Sequence, residues 1–282
     1  MKRWSATLLL LFVCSVVAHA DVTIVQKTTA EGGMASMAQS GGLPTPTITT
    51  RIKGTKGRMD VDLGSANLPG NMSTITDAGA KQVVLLDHNQ KTARTSGAPV
   101  QPATGQPSAG SLENSVAPTG RSQTIDGLKC DEYAFNTTMN LSQMGGAQVP
   151  PEAAAAMQGV TMIMKGSMWV AKEAPGAAEY AAYQKAMSGA DLAGAAMGAT
   201  GVSLPGMERM AKAMATVQGV PVLTEVTMTI EAGPGASDNA RQMAAMMAGM
   251  GAMKVTTRVL SMKTDAIADD VFLVPAGYQV IK

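Results

Sequence analysis

The chain has 282 residues, 22 basic against 21 acidic, a formal charge of +1, 45% hydrophobic residues but only 3% aromatic ones, and 23 methionines. This near balance excludes the electrostatic footprint of a nucleic-acid or anionic-membrane binder. A core poor in rings must be filled by Val, Ile, Leu, Ala and an unusual share of flexible, polarisable methionine.

The first twenty residues, MKRWSATLLLLFVCSVVAHA, read as a secretory signal peptide. Lys2 and Arg3 precede an apolar run from about Ala6 to Ala18, and Ala18-His19-Ala20 is a small-x-small cleavage pattern. Cleavage after Ala20 predicts a periplasmic or secreted protein. The run is shorter than the roughly 20 apolar residues of a spanning helix, and no later segment reaches that length unbroken. Removing the leader takes away Lys2 and Arg3, so +1 becomes −1, and leaves His88, Cys130 and Trp169 as the only residues of their kinds. A lone cysteine closes no internal disulfide. Cys130 is expected as a small buried hydrophobe.

The mature chain, 21–282, is read as one domain. VTIVQKTT at 22–29 starts a strand, and TITTRIK at 47–53 is a second. In RMDVDL at 58–63, Met59, Val61 and Leu63 alternate with Arg58, Asp60 and Asp62, the period of a sheet with one wet face. STITDA and QVVLLDH continue an antiparallel meander, and DHNQKT is its next tight turn. Residues 96–120 are rich in Pro, Gly and Ser and read as a flexible loop within the domain. Strand signals resume at 124–139 and 160–172. They are clearest at 222–231, where Val222, Val226, Met228 and Ile230 oppose Glu225, Thr227, Thr229 and Glu231. Residues 254–265 and 271–281 close the chain.

Between these lie three Ala/Met-rich segments, 151–158, about 176–217 and 237–252. They suit helices, although each scattered Gly costs about 1 kcal/mol against Ala. Such helices need an apolar surface to dock on. The expected fold is α+β: a curved antiparallel sheet, a half-barrel of about 8–10 strands, with Ala/Met-rich helices over its concave face.

On a helix, Met243, Met246, Met247, Met250 and Met253 fall within roughly 120° of arc, and Met207, Met210 and Met214 make a second stripe. The stripes are read as plain docking contacts, as the lining of an adaptable apolar cavity, or as soft ligands for Cu(I). Met228 and Met164 are candidate contributors from the sheet.

Catalytic machinery is sparse. A nucleophile needs a base, and the mature chain's one histidine, His88, sits beside Asp87 in a turn, where a solvated surface role is expected. One His and one Cys form no zinc pattern. No Gly-rich phosphate loop follows a strand. Asp131 and Glu132 are adjacent, so on a strand they point to opposite faces. Neither an enzymatic activity, a metal nor a cofactor is expected.

Three stretches together carry a resemblance: GTKGRMDVD with STITD and VVLLDHNQKT, TIDGLKCDEYAF with MWVAKEAPGAAEYAAY, and DDVFLVPAGYQVI with Phe272, Pro275, Gly277 and Tyr278. They resemble a domain-of-unknown-function family of exported bacterial proteins. Their strand order is similar to the LolA/LolB-like superfamily of periplasmic lipoprotein carriers and receptors. The resemblance implies a half-barrel holding acyl chains under helices, with a lipid or lipoprotein as partner. The carriers' aromatic lining is missing here, and the Ala/Met insertions have no counterpart in their pattern. The functional expectation is a non-enzymatic exported protein that binds an acyl chain or lipoprotein tail between sheet and helices. The alternatives are a Met-rich Cu(I)-binding or oxidant-buffering envelope protein, and a structural envelope protein.

Overall fold

The computed structural model describes residues 21–33, 45–63, 72–96, 114–141, 157–189, 192, 213, 216–233 and 235–281. Residues 1–20, expected as a leader, residues 193–212 with Met207 and Met210, and also Met214, lie outside them.

Two meanders meet on one central strand. The first, β1 (Val22–Glu31), β2 (Thr47–Lys53), β3 (Lys56–Asp62), β4 (Met72–Asp77), β5 (Gln82–Asp87) and β6 (Thr92–Ser96), runs outward in chain order. The second, β7 (Asn114–Ile125), β8 (Leu128–Asn140), β9 (Val160–Ala171), β10 (Val220–Ala232) and β11 (Met253–Lys263), starts at the opposite edge and returns until β11 pairs with β1. A short β12 (Gln279–Ile281) then joins β6 in parallel, so the open sheet has twelve strands and is mixed. Every other pairing is antiparallel. Two helices are described, α1 (Ala177–Gly189) and α2 (Asp238–Gly249). The class is α+β, with the sheet not closed. None of the described helices is long and apolar enough to cross a membrane.

The strand count exceeds the expected eight to ten for local reasons. Residues 124–139 divide at Asp126-Gly127, both with positive φ (50° and 79°). That is the two-residue turn that Asp-Gly favours between strands. Part of the stretch expected as a loop, 96–120, is also strand. Ser96 ends β6, and 114–118 pair along β8 in spite of Pro118, which an edge strand tolerates, before a register shift that takes in Gly120. Residues 97–113 lie outside the described residues.

The final stretch departs from the single closing strand expected over 271–281. Pro275 and Gly277 break it, and only 279–281 pair. Asp269–Phe272 form a 3-10 turn that seats Phe272 against Ile75, Val84, Leu86, Ala93 and Ile267. This strap reverses the expected polarity at 58–60 of β3, whereas Val61 is half-buried and Asp62 exposed as expected. Arg58 and Asp60, read as the wet side, lie beneath the strap, while Met59 is 41% exposed.

The largest core cluster gathers at the sheet end where β9 feeds α1, around Val22, Ile24, Ile52, Trp169, Val220 and Tyr183. Gly57 is required there. A Cβ on it would stand 2.1 Å from the Tyr183 hydroxyl, which instead bonds to Thr76. The sheet is also bent. Asp126, at the β7–β8 tip, pairs with Arg258 of β11 at 2.6 Å, although strands that far apart in a flat sheet stand roughly 15–20 Å from each other.

Candidate functional site

The site rises from strict alternation along β8, β9, β10 and β11. Residues paired across an antiparallel ladder share a face. On one face the first row is Met139, Met162 and Ile230, and the second is Thr137, Met164, Met228 and Met253. The third row is Phe135, Gly166, Val226 and Val255, and the fourth Tyr133, Met168, Thr224 and Thr257. The other face of the same strands carries Asn136, Lys165, Ser167, Glu225, Thr227 and Glu231. The first face is therefore apolar and thioether-rich. Met139 and Met168 are buried, at 6% and 1% exposure, while Met162, Met164, Met228 and Met253 are half-buried. The absence of a side chain at Gly166 leaves room that Phe135 fills, its ring 2.7 Å from where a Cβ would stand.

α2 docks at the first row. Ser237 caps it, accepting from the Ala240 amide through its hydroxyl. Ala240, Ala244 and Met247 pack on Val160, Ile230 and Ala236. At about 100° per residue these three lie within roughly 60° of one another. The contact line is thus two alanines and one methionine. Small side chains let the helix axis approach the strands, and the methionine stripe is turned to its flank. Met243 and Met250 are half-buried and Met246 is 67% exposed. Of the described helical methionines singled out from the sequence, Met247 alone belongs to the packed cluster. Beside it is a cleft of ≈ 190 Å³ lined by Thr229, Ile230, Glu231, Met247, Ala248, Gly251 and Ala252. Met164 and Met228, named as sheet contributors, are direct register partners. Met207, Met210 and Met214 are outside the described residues.

A polar constellation of another kind lies under the C-terminal strap. Ser73, 1% exposed, bonds to Asp60 and approaches His88 Nε2 at 2.5 Å, and His88 Nδ1 meets the Tyr278 hydroxyl at 2.5 Å. Arg58 donates to Asp60 at 2.8 Å and to the Val271 carbonyl at 3.1 Å, and Arg51 closes on the other Asp60 oxygen. Burial disfavours the Asp60 charge, but Ser73, Arg58 and Arg51 together outweigh it and hold the carboxyl below its ordinary value. His88 is therefore half-buried and engaged, not a solvated turn residue. A serine, histidine and aspartate do meet here, yet the aspartate contacts the serine and not the imidazole. In a catalytic triad the acid orients the base. Here Ser73 is buried and hydrogen-bonded, so the arrangement ties the strap to β3, β4 and β5.

Glu132 is the second group that sequence reasoning missed. Its carboxylate is almost wholly buried, accepting from Thr119 at 2.6 Å and from Arg121 Nε at 2.6 Å, with the Arg121 guanidinium 6.0 Å from the Trp169 ring centre. Hydrogen bonding from Thr119 leads the causes that hold it below the usual carboxylate range. Thr119 and Arg121 belong to a bulge between Pro118 and Ser122, which no spacing announced. Asp131 turns the other way, to Lys172 and Ser122. Cys130 is buried and free, and burial pushes its thiol up. Among the described residues, no group of three or more His, Cys, Asp and Glu side chains converges as metal ligands.

The sequence matches no protein-family profile, and no curated protein matches it. Among solved structures, an uncharacterized conserved protein from Thermus thermophilus is similar over 94% of this chain and 91% of its own, with 6% identity and a TM-score of 0.37. PNGF-II is similar over 93% of this chain and 31% of its own, with 9% identity and a TM-score of 0.35. Likenesses this distant assign no role.

Proposed function

We propose that this is a non-enzymatic exported protein that binds a hydrophobic ligand, an acyl chain or lipoprotein tail, on the methionine-bearing face of β8–β11 beside α2. The observation that supports the reading is the run of thioether, aromatic and aliphatic side chains in register on that face, several of them half-exposed at Met162, Met164, Met228 and Met253. Sites for small molecules usually enclose roughly 300–1,000 Å³, more than the ≈ 190 Å³ cleft beside Met247. The ligand therefore enters by displacing side chains. Unbranched methionines, which repack around varied shapes at little cost, suit that task. Affinity would come from buried apolar area at roughly 25 cal/mol per Å². The half-barrel form and the likeness to lipoprotein carriers belong to this proposal.

The test is native mass spectrometry of protein purified from its own host, with titration of a fluorescent fatty acid. Retained lipid mass, and probe binding that falls in Met164→Gln/Met228→Gln while the melting temperature holds, is the expected result. A clean unliganded mass together with an inert probe overturns the reading.

A further inference from the structure

We propose that Met164, Met228 and Met253 form a Cu(I) site on the sheet, a function separate from the binding of apolar ligands. The argument starts from the ladder. Met228 of β10 is the register partner of Met164 on β9 and of Met253 on β11. Three methionines thus stand side by side in one row across three neighbouring strands.

Directly opposed residues hold their Cβ atoms about 4.5–5.5 Å apart, so the outer two are roughly 10 Å from each other. A thioether sulfur lies two bonds beyond Cβ on an unbranched, freely turning chain. The outer pair can lean inward over the middle one, and three sulfurs then meet above Met228. All three side chains are half-buried, neither sealed in the core nor fully solvated. An ion can reach them while the apolar neighbours Ile230, Val226 and Val255 keep water sparse around it.

The donor chemistry selects the ion. Thioethers are soft and neutral, and they suit Cu(I) over Zn(II), Mg(II) or Ca(II), which take imidazole, thiolate or carboxylate. The charged residues of the same stretch, Lys165, Glu225, Glu231 and Lys254, alternate onto the opposite face. No carboxylate or imidazole occupies the four rows to recruit a harder cation. The helix stripe over 243–250 is the weaker place for such an ion: Met247 is committed to packing and Met246 faces solvent. The sheet holds its three methionines at fixed spacing, and the helix spreads its own around a flank.

Methionine-methyl NMR of the full mature protein, with each resonance assigned by a single Met→Leu substitution, tests the site. Ag(I) serves as a redox-inert probe, and Cu(I) is titrated against a competing chelator. The expected result is saturation at one ion per chain, shifting the methyls of Met164, Met228 and Met253. Met228→Leu is expected to weaken binding by more than the roughly 10–100-fold that loss of an outer partner of a metal ligand costs. Leucine matches methionine in volume, and an unchanged melting temperature confirms the fold of the variant. No saturable shift, shifts scattered over all methionines, or shifts confined to Met243, Met246 and Met250 overturn the site. So does undiminished affinity in Met228→Leu. A fatty-acid response without an ion response removes this site and leaves the lipid reading standing, and the reverse result does the opposite.

Discussion

Tyr278 and His88 are 190 positions apart, and their contact joins the last residues of the chain to the β5 turn. The rings meet edge to face, 5.8 Å between centres and 83° between planes, in addition to the hydroxyl–imidazole bond. Two groups in one network couple by about 0.5–3 kcal/mol. A double-mutant cycle on His88→Ala and Tyr278→Phe, read by urea unfolding, is expected to show a coupling in that range. Effects that simply add would mean that the His88–Tyr278 contact does not help to hold the strap. Asp60 supplies a pH dependence in the same network. Its folded-state value lies below the ordinary 3.8, so its contribution to stability is complete above the unfolded value. It is lost as pH falls through the folded one. The stability difference between native protein and Asp60→Asn should therefore shrink when urea midpoints are compared near neutral pH and at about pH 3. A difference that persists undiminished at the acid end would disprove the assignment. None of this network was legible in the sequence. Asp60 lies on β3, Ser73 on β4 and His88 just past β5, and Tyr278 reaches this group because Pro275 and Gly277 turn the strap.

At the scale of elements, alternation was the legible signal and helical periodicity was legible only in part. β10 sorted its side chains as read, with Met228 and Ile230 opposite Thr227, Thr229 and Glu231, because an antiparallel ladder fixes period two wherever no bulge intervenes. The bulge between Pro221 and Leu223 breaks that parity at Val222, and composition does not reveal it. For α2, the existence of the helix was evident, but its end and its buried side were not: Met253, counted on the helical stripe, opens β11. Counting methionines pointed to an arc centred near Met243 and Met246, whereas close approach to a sheet favours the smallest side chains, Ala240 and Ala244, which are 0% and 3% exposed. β3 failed in a similar way, since nothing local says that a strap arriving over 200 residues later will cover Arg58 and Asp60. The two readings of α2 separate experimentally. Ala244→Leu pushes bulk into the contact line and should cost about 1–3 kcal/mol by overpacking. Met246→Leu, on the exposed side, should stay within about 0.5 kcal/mol of the parent. Chemical unfolding of both variants checks this, and equal losses would mean the helix presents its methionine side to the sheet.

An open sheet of twelve strands leaves two edges, and each is a template for pairing with another chain unless something blunts it. The β7 edge has its own devices: Pro118 lacks an amide donor, the bulge from Pro118 to Ser122 interrupts the ladder, and Arg121 is drawn to Glu132. The other edge would be β6, whose Thr92, Ala93 and Arg94 are covered by β12. The parallel pairing is short, only Gln279 to Ile281, and is fastened by the Gln279 amide donating to the Lys91 carbonyl at 2.8 Å. β12 therefore acts as an edge cover, carried there by a strap whose anchors, Phe272 and Tyr278, lie upstream of it. That separation makes the idea testable without dismantling the core. Removing residues 279–282 spares Phe272, Tyr278 and the His88 bond, so the melting temperature should fall by no more than a few degrees. The bared β6 should then pair between molecules, and light scattering should show concentration-dependent growth in mass relative to the full chain. Restoring Gln279–Ile281 should abolish it. A truncated protein that keeps the full chain's mass at every concentration would show that β6 needs no cover, and the protection of that edge would have to come from its own charged residue, Arg94.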